Sequence, residues 1–106
     1  MVIEYIRYTV ANPARGETLR SAYAVAAKQL DTAPGCLAYE LTQCEEDANS
    51  WILRIEWRST EDHLKGFRQG PHFPEFLAAI REFVPEIAEM RHYRLTNVRS
   101  HKPTRP

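Results

Sequence analysis

The chain has 106 residues, which is enough for one domain and too short for two. Hydrophobic residues make up 43% and charged residues 26%, a composition that excludes a disordered chain, and no apolar run approaches the roughly 20 residues that span a bilayer. The start of the sequence lacks the basic and apolar segments of a signal peptide, so we expect a cytoplasmic protein.

The formal net charge of zero conceals an acidic body and a basic end. All 14 acidic residues precede position 91, whereas 5 of the 14 basic residues lie from Arg91 onward. An acidic body is unsuited to nucleic acid, because neutralising phosphates supplies most of that affinity. We therefore expect neither a nucleic-acid nor a membrane partner, and we predict one domain over residues 1–97 followed by a solvated basic tail, residues 98–106.

The two cysteines, Cys36 and Cys44, fall on one predicted strand. Eight residues of strand span roughly 26 Å, far beyond the roughly 7 Å between the Cα atoms of bridged cysteines. The two thiols can neither pair within one chain nor share a zinc ion. Reduced thiols agree with a cytoplasmic location.

The first half of the chain predicts a strand, a helix and a second strand. Residues 2–11 are rich in β-branched and aromatic types, which favour a strand ending at Asn12-Pro13. Residues 14–32 place apolar side chains three and four positions apart, which predicts an amphipathic helix that ends at Pro34-Gly35. A strand over residues 36–45 follows.

The second half predicts a strand over residues 51–58, a short helix over 60–68 presenting Leu64 and Phe67, a helix from Gly70-Pro71 to Pro85, and a strand over 88–96. Ser59 is the expected N-cap of the short helix, with Asp62 three residues later. The order predicts a ferredoxin-like α+β fold, βαββαβ, with a four-stranded antiparallel sheet and its helices on one face.

Apolar side chains on both faces of the predicted strands indicate a second packing partner. Trp51, Leu53, Ile55 and Trp57 alternate with Ile52 on the third strand, and Leu37, Tyr39 and Leu41 alternate with Cys36 and Ala38 on the second. One layer of helices covers only one face of a sheet, so the other face would expose a larger patch than monomers usually do. We predict a homodimer that pairs through this sheet face.

Two histidines are candidates for proton transfer. His72 follows Gly70-Pro71 in the first turn of a helix, where the helix dipole favours a neutral imidazole that can accept a proton. His63 lies on the short helix, one turn before Phe67. Either histidine could instead be a surface or capping residue, and His92 reads as an ordinary strand residue.

An aromatic set could line an apolar ligand cavity or simply form the core. Its members are Tyr5, Tyr8, Tyr23, Tyr39, Phe67, Phe73 and Phe76, with Trp57 at the end of the third strand. No glycine-rich phosphate loop, nucleophile elbow or Cys-x-x-Cys motif occurs, and His63 and His72 lack a metal-binding spacing. We expect no cofactor and no metal.

Three segments in order, Pro34-Gly-Cys-Leu-Ala-Tyr-Glu-Leu41, Ile55-Glu-Trp-Arg-Ser59 and Gly70-Pro-His-Phe-Pro-Glu-Phe-Leu77, resemble the antibiotic biosynthesis monooxygenase family. The similarity extends over roughly residues 2–96. It implies a dimeric α+β barrel, in which two ferredoxin-like protomers pack sheet against sheet.

The resemblance also implies an activity and a site. Better-known members oxidise polycyclic phenols or hydroquinones with molecular oxygen and no prosthetic group, which requires a dry aromatic pocket, a base and a donor for the developing oxyanion. Trp57 and His72 match recurrent family positions, His63 is a second candidate base, and Tyr39 or Tyr5 is a possible donor. Phe67, Phe73 and Phe76 would then contact the aromatic substrate.

Three alternatives stay open within this resemblance. Haem-binding relatives carry an asparagine on the first strand, which is missing here, and Phe67 and Leu77 stand near the places of their tryptophan and histidine. Other relatives isomerise or process small metabolites. A non-catalytic module that binds a small molecule would leave both His63 and His72 facing solvent.

Overall fold

Four antiparallel strands form a single sheet in the computed structural model, which describes residues 1–103. The strands are β1 (Val2–Thr9), β2 (Cys36–Gln43), β3 (Ser50–Trp57) and β4 (Ile87–Arg94). They lie in the order β2-β3-β1-β4, so the first strand pairs with the last and sits in the interior of the sheet.

Two α-helices cover one face of this sheet. Helix α1 spans Pro13–Thr32, and it begins where the Asn12 side chain accepts a hydrogen bond from the Arg15 backbone N–H at 2.9 Å. Helix α2 spans Phe73–Ile80 and packs against α1. The βαββαβ order with helices on one face confirms the predicted ferredoxin-like α+β fold.

Shorter helical segments flank α2. A π-helix occupies Asp62–Phe67, and a 3-10 helix occupies Arg81–Glu86. The predicted N-cap is confirmed, because Ser59 Oγ accepts a hydrogen bond from the Asp62 backbone N–H at 3.0 Å. Pro85 lies inside the 3-10 helix, where we expected it to end a longer α-helix, since a 3-10 turn makes fewer demands on the backbone N–H that proline lacks.

The π-helix changes which side chain faces the core. The predicted α-helix presented Leu64 with Phe67, yet His63 and Phe67 are buried and Leu64 is exposed. The reason is the wide turn, in which the Arg68 backbone N–H donates to the carbonyl of His63, five residues back. A histidine predicted on a helix surface therefore enters the protein interior.

A bulge in β2 corrects a second prediction. Cys36 pairs with Trp57 and Ala38 pairs with Glu56, which leaves Leu37 as an extra residue between them. Leu37 is therefore half exposed and does not share the face of Tyr39 and Leu41 as strict alternation predicted.

The close contact between α1 and β3 depends on a glycine. A Cβ atom on Gly16 would lie 2.6 Å from Trp51 Nε1, closer than side chains tolerate. Trp51, Leu19 and Tyr23 are buried in the resulting interface. This contact sets the distance between the helix layer and the sheet.

The outer face of the sheet, away from the helices, mixes apolar and charged side chains. Ile3, Tyr5, Arg7, Ile52, Arg54, Glu56, Glu89, Arg91 and Tyr93 occupy it. Arg54 bonds Glu56 at 3.1 Å and Glu40 at 3.3 Å, and the Tyr5 and Tyr93 rings meet edge to face. Charge is thus paired on a surface that no helix covers.

The predicted basic tail is described only in part. From residue 95 to residue 103 the chain forms neither helix nor strand, while positions 104–106, with Arg105, lie outside the described residues. Among the residues described, no helix is long and apolar enough to cross a membrane.

Candidate functional site

A cavity of about 350 Å³ lies between the sheet and the helical layer. Its apolar wall includes Ile6, Ile55, Phe67, Phe73, Phe76 and Ile80. Side chains of β1 and β3 form the sheet side of the cavity, since every second residue of these strands points toward the helices. A cavity of this size and lining suits a small aromatic molecule.

The polar part of the wall centres on Glu4, a carboxyl group that is only 2% exposed. Trp57 donates its indole N–H to Glu4 Oε1 at 3.0 Å, and His63 Nε2 lies 3.4 Å from the same oxygen. The rings of Trp57 and His63 stack with their centroids 4.9 Å apart. Oε2 of Glu4 takes part in neither contact.

A second histidine extends this cluster toward the surface. His92 Nε2 lies 2.7 Å from His63 Nδ1, within hydrogen-bonding distance. The register places His92 beside Glu4, because these two residues are paired on β4 and β1. His92 is half-buried, whereas His63 is 4% exposed. The cluster therefore runs from the cavity wall toward solvent.

Burial controls the protonation of these groups. Burial raises the pKa of Glu4, while the Trp57 hydrogen bond and the positive charge of Arg68 act in the opposite direction. Burial, helped by Arg68 and His92, lowers the pKa of His63 to about 3. Burial and Arg68 also lower the pKa of His92. Both imidazoles are thus neutral near pH 7 and able to accept a proton.

Glu4, His63 and His92 also form a donor set of the kind that binds metals, with one donor atom from each within 4.8 Å of the others. The positive charge of Arg68 opposes a cation here, because Arg68 lies in the cavity wall near all three groups. The arrangement fits proton transfer better than chelation.

Two tyrosines form a second polar group in the cavity wall. The hydroxyls of Tyr8 and Tyr23 are hydrogen-bonded to each other. Burial raises the pKa of Tyr8 to about 12 and raises the pKa of Tyr23 as well, so both hydroxyls keep their protons. Since one hydroxyl donates to the other, the second has a proton to offer a ligand.

The structure brings five of the predicted site residues together and separates three from them. The five that line the cavity are Trp57, His63, Phe67, Phe73 and Phe76. His72 lies outside it, where its Nδ1 is 3.2 Å from Thr32 Oγ1. Tyr39 donates to Asp31 Oδ1 at 2.6 Å near the end of α1, and Tyr5 lies on the outer face.

Three polar residues of the site, Glu4, His92 and Arg68, were absent from the predicted site. Glu4 carried a readable signal, because strict alternation along β1 puts this carboxyl on the same face as Ile6 and Tyr8. Nothing in the sequence links His92 to His63, since the two residues are 29 positions apart and lie on different elements, β4 and the π-helix. Arg68 enters the wall through the π-helix that precedes it.

Fold and site together define a ferredoxin-like α+β domain with an apolar small-molecule cavity and a carboxylate–histidine cluster in its wall. The sequence model of the antibiotic biosynthesis monooxygenase family matches residues 1–79. The chain belongs to this family.

The chain is also similar to individual proteins. YczJ of Bacillus subtilis strain 168, itself uncharacterised, is 26% identical over 77 residues, which cover 73% of this chain and 81% of YczJ. A Bordetella bronchiseptica structure, described only as a provisional member of the family, is similar with a TM-score of 0.74 and 23% identity, over 90% of this chain and 96% of that one.

A further similar structure is SnoaB of Streptomyces nogalater, described as a cofactor-independent oxygenase. It has a TM-score of 0.66 and 21% identity, over 92% of this chain and 97% of SnoaB. At this level of identity the likeness establishes the shared fold.

Proposed function

We propose that this protein is a cofactor-independent monooxygenase that oxidises a phenol- or hydroquinone-type aromatic molecule with molecular oxygen. One observation carries the proposal: the Glu4–His63 pair stands in the wall of a cavity that is mainly apolar. An apolar cavity receives an aromatic ring, and the carboxylate–histidine pair removes its acidic proton. SnoaB, with the same fold, is described as a cofactor-independent oxygenase.

The reaction needs no external reductant when the substrate supplies every electron. A phenol with a hydrogen para to its hydroxyl loses two hydrogens and gains one oxygen, which gives a quinone. The second oxygen atom of O₂ leaves as water. Four electrons pass from the ring to oxygen, and the first step is loss of the phenolic proton, because a phenolate gives up an electron far more readily than a phenol.

Each polar group of the cavity has a part in this first step. The Glu4–His63 pair takes the phenolic proton. The guanidinium of Arg68 stabilises the phenolate that forms. The tyrosine pair donates a hydrogen bond to an oxygen at another position of the substrate. His63 thus becomes the preferred histidine of the base pair, in place of His72.

We also propose that two chains pair through the outer face of the sheet. Tyr93 is 47% exposed there in the isolated protomer, next to Tyr5. Arg54 and Arg91 of this face already bond neighbouring glutamates, so a second sheet can cover these charges as pairs. Light scattering after size exclusion should give the mass of two chains, and Tyr5→Glu should give the mass of one.

We infer a cytoplasmic location from the two free cysteines, Cys36 and Cys44. Blocking free thiols in intact cells, followed by lysis, tests it. Both thiols should escape a membrane-impermeant reagent and react only after lysis and unfolding.

Oxygen consumption by the purified protein tests the activity. With a panel of naphthols, naphthohydroquinones and anthrone, we expect uptake above the autoxidation blank and one atom of ¹⁸O from ¹⁸O₂ in the product. Glu4→Gln keeps an acceptor for the Trp57 N–H but removes the base, so it should lower the rate by about 10²-fold or more. Glu61→Gln, on an exposed carboxylate, is the matched control.

Other outcomes would overturn the proposal. Tight binding of naphthols without oxygen uptake by any member of the panel would indicate a non-catalytic binding module. A stoichiometric Soret shift with haem would indicate a haem protein.

A further inference from the structure

The Glu4–His63–His92 cluster offers a path for a proton from the cavity to solvent. His63 lies between the other two groups, with Nε2 3.4 Å from Glu4 Oε1 and Nδ1 2.7 Å from His92 Nε2. Glu4 and His63 are both buried, so neither exchanges protons with bulk water directly. His92 is half-buried and is the member of the three with the most access to solvent.

A buried base in a cofactor-free reaction must be reset after each turnover. The proton taken from the substrate has to leave Glu4, because a protonated carboxyl cannot accept a proton from the next substrate molecule. The cavity itself provides a poor exit, since its wall is apolar and a bound aromatic ring excludes water. A chain of imidazoles solves this problem, because each ring accepts a proton at one nitrogen and releases one from the other.

We propose that His92 is the exit of a proton relay that runs from Glu4 through His63 to solvent. The inference rests on the proposed function, for which it supplies the fate of the substrate proton. The O–H bond of the phenol breaks and an O–H bond forms on Glu4. That proton passes to His63 Nε2 while the N–H at His63 Nδ1 passes its proton to His92 Nε2, and His92 releases one proton to water. One proton enters, one leaves, and no electron moves.

The charged groups around the relay favour release of the proton from His92 to water. Arg68 is the cation that acts on all three members, and it disfavours a resting imidazolium on His63 or His92. Glu4 is the only carboxylate that contacts the relay among residues 1–103. The outer-face neighbours of His92 on β4, Arg91 and Tyr93, point to the opposite side of the sheet. No group beside His92 therefore binds the proton strongly enough to prevent its release to water.

The kinetic test replaces His92 and supplies a substitute. His92→Gln should lower kcat about tenfold or more with little change in KM, because the substrate still binds but the base resets slowly. Added imidazole should restore the rate in proportion to its concentration. His101→Gln changes an exposed histidine of the tail and is the matched control. An unchanged kcat in His92→Gln, or a loss that imidazole does not restore and that is matched by weaker substrate binding, overturns the relay.

A spectroscopic test separates the relay from the activity. In ¹⁵N-labelled protein, His63 Nδ1 and His92 Nε2 should show scalar coupling across their hydrogen bond, and His63→Gln should shift the titration of His92. This result is expected even if no substrate of the panel is oxidised. Uncoupled nitrogens overturn the relay. So does stoichiometric uptake of Zn²⁺ by the wild-type protein that His92→Gln abolishes, which would make the cluster a metal site.

Discussion

The indole of Trp57 stacks on the imidazole of His63, with the ring planes 16° apart and the centroids separated by 4.9 Å. The same indole donates its N–H to Glu4. One side chain thus holds both members of the proposed base pair, one through its ring face and the other through its edge. Because Trp57 is fully buried at the end of β3, its position is set by the sheet and not by a loop.

Replacing Trp57 by phenylalanine should weaken both restraints. The loss of a hydrogen bond to a charged group costs about 1.5–3 kcal/mol of unfolding free energy. Removing this donor also raises the pKa of Glu4 further, so the acid limb of the pH–rate profile moves to higher pH. Urea unfolding and initial rates across pH measure the two effects.

Trp51→Phe is the matched control for this substitution. Trp51 is equally buried on the same face of β3, but its Nε1 has no hydrogen-bond partner among the described residues. The control should therefore leave the acid limb where it is. A shift of equal size in both variants would mean that packing, not the Glu4 contact, sets the profile.

Two histidines compete for the role of base, and their environments predict different outcomes. His63→Gln should lower kcat/KM by about 10²–10⁴-fold, the usual contribution of a general base. His72→Gln should change it little, because the His72 ring lies outside the cavity and contacts Thr32. Initial rates under identical conditions decide between them. A large loss in His72→Gln alone would restore the base that the sequence favoured.

The strand and helix pattern was predictable because it depends on local periodicity. Burial of one face directly produces the alternation along β1 and β3 and the three-to-four spacing of α1.

The choice between His63 and His72 was not predictable in this way. An α-helix would have presented Leu64 beside Phe67, and only the five-residue turn of the π-helix carries His63 inward.

The contact between His63 and His92 was beyond sequence reasoning for a different reason. It requires β4 to return beside β1 and the π-helix to lie over that edge of the sheet. Neither placement has a local signature. Glu4 is the one residue of the cluster that the alternation along β1 reveals, because it is a carboxyl group on an apolar face.

Acid should destabilise the protein through His63. Its pKa is about 3 in the folded state and about 6.5 when unfolded, so the unfolded chain binds the extra proton between these values. Stability is complete above about pH 6.5 and falls as the pH drops, by up to about 1.4 kcal/mol per pH unit. Glu4 acts in the opposite sense, because its raised pKa lets the folded state bind a proton more readily than the unfolded chain above pH 4.5.

The difference between the wild type and His63→Gln isolates the histidine, since both proteins keep Glu4. Urea unfolding between about pH 7 and 5 should show the advantage of the wild type shrinking with acidity. A difference that stays constant over this range would place His63 in contact with solvent.

A methyl group on Gly16 should destabilise the fold. Alanine is the better helix former by about 1 kcal/mol, yet its Cβ would lie 2.6 Å from Nε1 and 2.8 Å from two carbons of the rigid Trp51 indole. Overpacking of this kind costs about 1–3 kcal/mol, so the net effect is a loss. In Gly66→Ala the nearest atom, Asp62 Oδ1, is 4.0 Å away, and this control should be neutral or stabilising. Thermal unfolding of both variants measures the change in stability. Equal losses in the two variants would show that the contact with Trp51 is not the cause.

The hydroxyl of Tyr23 should contribute to binding more than to turnover. It shares a hydrogen bond with Tyr8 in the cavity wall, and this pair offers a donor away from Glu4, because Tyr8 lies four residues beyond Glu4 on the same face of β1. Tyr23→Phe should weaken the binding of an oxygenated aromatic ligand by about tenfold, which is about 1.4 kcal/mol, with kcat changed less.

Tyr39→Phe tests whether this loss is specific to the cavity. The Tyr39 hydroxyl donates to Asp31 and does not line the cavity, so its removal should leave ligand affinity unchanged. Titration of both variants with 1-naphthol, followed by the fluorescence of the cavity tryptophan Trp57, gives the two affinities. An equal loss of affinity in both variants would show that the ligand binds outside the cavity. The two hydroxyls bond different partners, Tyr8 and Asp31, so a ligand in the cavity should sense only the loss of the Tyr23 hydroxyl.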